Sequence, residues 1–150
     1  MKKLLFLGVL LLTIMTSCSS LDTKSQVGIK GNWTIGSVTY PNSQYIKVTS
    51  FDIADSQCFV GSSWNFISNN NKGSMTLTNS SCPAFSSPIV WTVTKAGDFT
   101  LKITEGDKAK RVTQGYFLKL RNQTETSFEL VDNVAVGGKN TEVVYHFQKQ

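Results

Sequence analysis

From Gly31 onward, apolar and polar side chains alternate in short runs broken by turn residues. That is the pattern of strands burying one face. Gly31 to Tyr40 forms the first run and stops at Pro41-Asn42-Ser43. Tyr45 to Phe51 predicts a second strand, with Tyr45, Lys47, Thr49 and Phe51 on one side. Asp52 to Gly61 breaks the rhythm as a loop or helical turn carrying Cys58. Ser63 to Ser68 resumes the alternation, with Trp64 and Phe66 sharing a face. Asn69-Asn70-Asn71-Lys72-Gly73 predicts a hairpin turn, because Asn and Gly tolerate positive φ. Ser74 to Thr78 pairs back from it, and Asn79 to Pro88 is a loop rich in Ser and Pro.

Ile89 to Lys95 follows, with Ile89, Trp91 and Val93 on one face, and turns at Ala96-Gly97-Asp98. Phe99, Leu101 and Ile103 then alternate with Thr100, Lys102 and Thr104. Glu105 to Arg111 is a charged loop. Val112 to Arg121, Ser127 to Val134 and Thr141 to Gln148 complete about nine strands. Short connections suit antiparallel neighbours, and no segment has the length and period of a crossover helix. The chain therefore reads as one all-β domain over residues 29–150, and alternation alone leaves sandwich and barrel both open.

The first 30 residues follow a different rule. Lys2 and Lys3 precede an apolar run from Leu4 to Ile14, and small polar residues then lead to Cys18. This is the shape of an export signal over residues 1–17, shorter than the ~20 apolar residues a membrane-spanning helix needs. Met15-Thr16-Ser17-Cys18 resembles the bacterial lipobox. The resemblance implies diacylglyceryl transfer to the Cys18 thiol, cleavage before it, and a further fatty acyl chain, palmitate-like, on the new amine. Ser19, rather than Asp, follows the cysteine, so the expected location is the outer membrane of a bacterial cell envelope, with the membrane as partner through acylated Cys18. Residues 18–28 read as a lipidated polar tether.

Removing the leader takes Lys2 and Lys3 from the 15 basic residues, leaving 13 against 10 acidic ones. Nucleic-acid binding asks for a dense basic stripe, and these charges are dispersed; no nucleic-acid partner is expected. With Cys18 acylated, Cys58 and Cys82 remain, and in an oxidising compartment they read as a disulfide. Enzyme chemistry finds little to use. His146 is the sole histidine, and the alternation of Val143, Tyr145 and Phe147 turns it to solvent. Too few ligands exist for zinc, and no cofactor or metal is expected.

Gly31-Asn32-Trp33 resembles the Gly-x-Trp motif that opens the first strand of lipocalins. Cys58 to Trp64, Asn69 to Gly73, Gly115-Tyr116 and Val144-Tyr145-His146-Phe147 extend the likeness to small bacterial lipocalin-like lipoproteins, over about residues 31–148. That resemblance implies an antiparallel up-and-down β-barrel of about eight or nine strands with a possible internal cavity. Arg121 is the nearest counterpart, by position, of the lipocalin arginine that packs on the first-strand tryptophan. Candidate interior residues for a small hydrophobic ligand are Phe66, Trp91, Val93, Phe99 and Leu101 from the first half. Tyr116, Leu118, Phe128 and Tyr145 join them from the second. Lys102, Lys108, Lys110, Lys119 and Arg121 are candidates for a basic rim. The competing expectation is a barrel filled by its own side chains, serving as a protein-interaction module or inhibitor whose loops 79–88 and 105–111 make the contacts.

Overall fold

The computed structural model describes residues 22–43, 46–108 and 111–150. The leader, Cys18, Tyr45 and Lys110 lie outside them. Eight strands close an antiparallel barrel: β1 (Gly31–Thr39), β4 (Ser63–Ile67), β5 (Lys72–Thr76), β6 (Ser86–Val93), β7 (Asp98–Ile103), β8 (Tyr116–Arg121), β9 (Ser127–Val136) and β10 (Lys139–Lys149). Each pairs with its neighbour in this order, and β10 returns to β1, so the sheet has no free edge. A two-stranded ribbon, β2 (Thr49–Ser50) and β3 (Ala54–Asp55), is inserted between β1 and β4.

The alternation places one side chain in two inside. Trp33 and Ile35 come from β1, Trp64 and Phe66 from β4, and Ile89, Trp91 and Val93 from β6. Phe99, Leu101, Leu118, Phe128, Leu130, Val143, Tyr145 and Phe147 complete the inner face, all buried. Rings dominate this core and meet in stacked and edge-on pairs. Phe128 stacks on Phe147 at 4.5 Å between centroids, and Trp91 on Phe99 at 5.8 Å. Trp33 meets Phe128 edge-on at 4.6 Å. Each such pair adds roughly 0.5–1.5 kcal/mol beyond the area it buries.

Three sequence expectations change. Residues 18–28 do not form an unstructured tether throughout: Thr23–Ile29 is a helix, α1, capped by the Asp22 carboxylate, which accepts from the Lys24 amide at 3.2 Å and from Ser25 Oγ at 2.6 Å. Gln26 and Ile29 are buried, and the Trp33 indole donates to the Ile29 carbonyl at 2.7 Å. The Gln123 side chain donates to the Ser25 carbonyl at 3.1 Å. The helix thus seals the end of the barrel where β1 begins.

Of the run expected from Tyr45 to Phe51, the described residues 46–51 are not a barrel strand. Phe51 and Asp52 adopt φ of +53° and +54°, which turns the chain back so that only Thr49–Ser50 pairs, with Ala54–Asp55. In the β4–β5 hairpin the positive φ belongs to Asn71, at +55°. Gly73 is instead needed inside β5, where a Cβ would lie 2.0 Å from the Asn65 carbonyl oxygen. The 3-10 turn Ser56–Phe59 follows the ribbon, and the Cys58–Cys82 disulfide ties it to the loop between β5 and β6. Closing a loop of this length contributes roughly 3 kcal/mol through the unfolded chain.

Candidate ligand-binding site

The nine residues proposed from sequence all lie on the barrel's inner face or its mouth. They touch one another more than they touch open space. Phe66 meets Trp91 at 5.3 Å, Phe99 at 6.2 Å and Phe128 at 6.2 Å. Val93, Leu101 and Leu118 are buried among these rings. The Trp91 indole is satisfied by the Lys72 carbonyl at 2.9 Å. Side chains fill the depth of the barrel, as the smaller eight-stranded barrels do. Of the nine, Tyr116 is the one that lines the cleft at the mouth.

That cleft sits at the mouth, opposite α1, and the ribbon shapes it. Phe51 is driven into the opening and is 6% exposed. Its ring stacks on Tyr145 at 5.4 Å and stands edge-on to Tyr116, Phe59 and Trp64 at 5.1, 5.3 and 6.4 Å. The Tyr116 hydroxyl donates to the Phe51 carbonyl at 2.7 Å, and Ser50 Oγ lies 2.5 Å from the Tyr145 hydroxyl. A side chain acts as a stopper, and backbone and hydroxyl bonds hold it. Beside it a cleft of about 270 Å³ remains, with Phe51, Ile53, Ile103, Val112 and Tyr116 as its apolar wall. Asp52, Thr104, Glu105, Asp107 and Gln114 complete the lining, and Gln114 donates to the Asp52 carboxylate.

Burial raises the Tyr116 hydroxyl above its ordinary value, helped by the negative charges of Asp52, Glu105 and Asp132. Burial also raises Tyr145, against the Ser50 hydrogen bond. Both phenols stay protonated at neutral pH and serve as donors or apolar faces. Asp132 went unnoticed in the sequence. It occupies an inward position of β9, between Leu130 and Val134 and opposite Val143, and burial raises its carboxyl above the ordinary range. A charged residue in the inward row of Phe128, Leu130 and Val134 is the signal that could have found it.

The proposed basic rim does not assemble. Lys119 and Arg121 lie on the outer face of β8 near its α1 end, paired with Asp98 at 2.5 Å and Glu142 at 2.8 Å. Lys102 donates to the Val112 carbonyl at 3.0 Å. Arg121 does not pack on Trp33 either; Lys149 Nζ stands 5.5 Å from that ring's centroid instead, because β10 runs alongside β1 with Lys149 opposite Trp33. His146 sits on the outer face between Thr39, at 2.9 Å, and Glu129, at 3.3 Å.

A closed, ring-lined antiparallel barrel with one sealed end and one open mouth defines the class: a barrel of the ligand-binding type. The family model for the lipocalin-like domain matches residues 29–120, and the chain belongs to that family. The crystal structure of a lipocalin-like protein from Bacteroides uniformis is similar in fold, with a TM-score of 0.50 and 14% sequence identity over 82% of this chain and 99% of that one. No curated protein sequence matches the chain.

Proposed function

We propose that this is a lipid-anchored binding protein of the bacterial cell envelope, not an enzyme, held at the outer membrane by acylated Cys18. Its ligand is a small molecule with an apolar face and a polar end, taken at the mouth of the barrel rather than in its depth. The observation that carries this reading is where the packing gives out: rings fill the interior up to Phe51, and the cleft opens beside that residue. Its 270 Å³ falls just below the ~300–1,000 Å³ of ordinary small-molecule sites, so the ligand is small. Ile53, Ile103 and Val112 offer it apolar surface, and Asp52, Glu105, Asp107 and Gln114 face its polar end.

Native mass spectrometry of the protein purified from its host tests this. A co-purifying small molecule that disappears in Tyr116→Ala supports the mouth as the site. The filled interior is the specific observation that favours a second reading, an interaction module working through loops 79–88 and 105–111. A protein that is always dry in the spectrometer but captures an envelope protein would favour that module and sink the first reading. The anchor has its own test: Cys18→Ser should move the protein out of the membrane fraction.

A further inference from the structure

Asp22 is fixed in space. Its backbone N–H donates to the Val93 carbonyl at 2.8 Å, which places it against the β6–β7 hairpin at the α1-sealed end. Cys18 precedes it by four residues, and four extended residues span at most about 14 Å. The long strand β10 has 11 residues, about 35 Å from end to end. An anchor attached at Cys18 is therefore held within about 14 Å of Asp22, at the sealed end.

The chemistry of that end matches. Lys24, Lys30, Lys72, Lys95 and Lys149 ring it, all exposed. The acids there are Asp22, spent on capping α1, Asp98 and Glu129, paired with Lys119 and His146, and Glu125. Among the described residues, the ion pairs are Lys119–Asp98, Arg121–Glu142 and His146–Glu129, and none engages these five lysines. Elsewhere on the mature chain basic and acidic residues balance. The excess positive charge is thus gathered where the tether leaves. Two of the large apolar residues exposed on the surface lie at the same end: Val27, 58% exposed on α1, and Ile67, 38% exposed at the end of β4.

We infer that the sealed end is a docking face for an anionic phospholipid bilayer. The lysines meet lipid phosphates, Val27 and Ile67 enter the headgroup layer, and the mouth points away from the membrane. This rests on the acylation of Cys18 proposed above. Lysines held at an anionic surface each strengthen attachment about fivefold, and salt weakens the effect by shortening the screening length.

The acylated protein, reconstituted on vesicles of equal parts phosphatidylglycerol and phosphatidylcholine, is labelled with an amine-reactive acetylating reagent and compared with the same protein on pure phosphatidylcholine. Lys24, Lys30, Lys72, Lys95 and Lys149 should be protected about fivefold or more on the anionic vesicles, while Lys47 and Lys139 near the mouth are unchanged. Protection should vanish in molar salt, and the remaining Lys149 should lose its protection in the Lys24→Glu/Lys30→Glu/Lys72→Glu/Lys95→Glu variant, which stays attached through its lipid. Intact mass reads the acyl group separately. An acylated chain labelled uniformly, or protected at the mouth, overturns the docking face alone; a membrane-fraction chain without the acyl mass overturns the anchor and the docking face together.

Discussion

Replacing Phe51 by alanine tests whether its ring is the stopper of the barrel. The side chain is almost fully buried and contacts four other rings. Burying a phenylalanine is worth roughly 1.5–3 kcal/mol, its ring pairs add to that, and Phe→Ala in cores costs about 3–5 kcal/mol. The turn can relax at the mouth, so the expected loss is about 3 kcal/mol. The positive φ offers an internal control. It strains any residue with a Cβ by ~1–2 kcal/mol, so alanine keeps that strain and glycine relieves it. Phe51→Gly should therefore be more stable than Phe51→Ala by about 1 kcal/mol, an inversion of the usual order. Urea denaturation of the three proteins, with unchanged slopes, reads both differences. The vacated space is apolar, and dry engineered cavities admit benzene; benzene should raise the melting temperature of Phe51→Ala and not of the wild type. A loss below about 1 kcal/mol, or alanine equal to glycine, would refute the stopper.

Three further outcomes are expected. Gly73→Ala forces a methyl into the Asn65 carbonyl and should cost about 3 kcal/mol or more, seen as a lower denaturation midpoint; an unchanged midpoint would show that β4 and β5 can separate freely. Cys58→Ser/Cys82→Ser should cost roughly 3 kcal/mol, and wild type under reducing conditions should match it. For Asp132 the sign follows from its direction: burial raises the folded carboxyl above its unfolded value, so the folded state holds the proton more tightly and stability falls as pH rises through that window. Asp132→Asn should therefore stabilise the protein above the window and make no difference below it, as chemical denaturation at a series of pH values would register.

Much of the barrel was legible in its alternation. Wherever strands face water on one side, as in Phe99-Thr100-Leu101-Lys102-Ile103, period two reports the inner face directly, and the pairing of Cys58 with Cys82 followed from the expectation of an oxidising compartment. What escaped were features without a period. Helix α1 spans seven residues with only Gln26 and Ile29 buried, too short for a 3.6-residue rhythm to show. The turn at Phe51 and Asp52 uses left-handed backbone at residues that do not advertise it, since tertiary packing of the ring outweighs local preference. Gly73 looked like turn chemistry but answers to the close approach of β4. Lys149 stands over Trp33 because of register between the two ends of the sequence, which no local window contains. The mouth cleft was hidden for the same reason: its walls come from residues 51–53, 103–107 and 112–116, brought together only by closure.

Closure by β1 and β10 has a kinetic corollary. Every other seam of the cylinder joins strands adjacent in the meander, but this one joins residues 33–39 to 144–149. A folding polypeptide can zip its hairpins one after another, yet it keeps two raw edges until residues 139–149 join. Loop-closure entropy then makes that last seam the slow step.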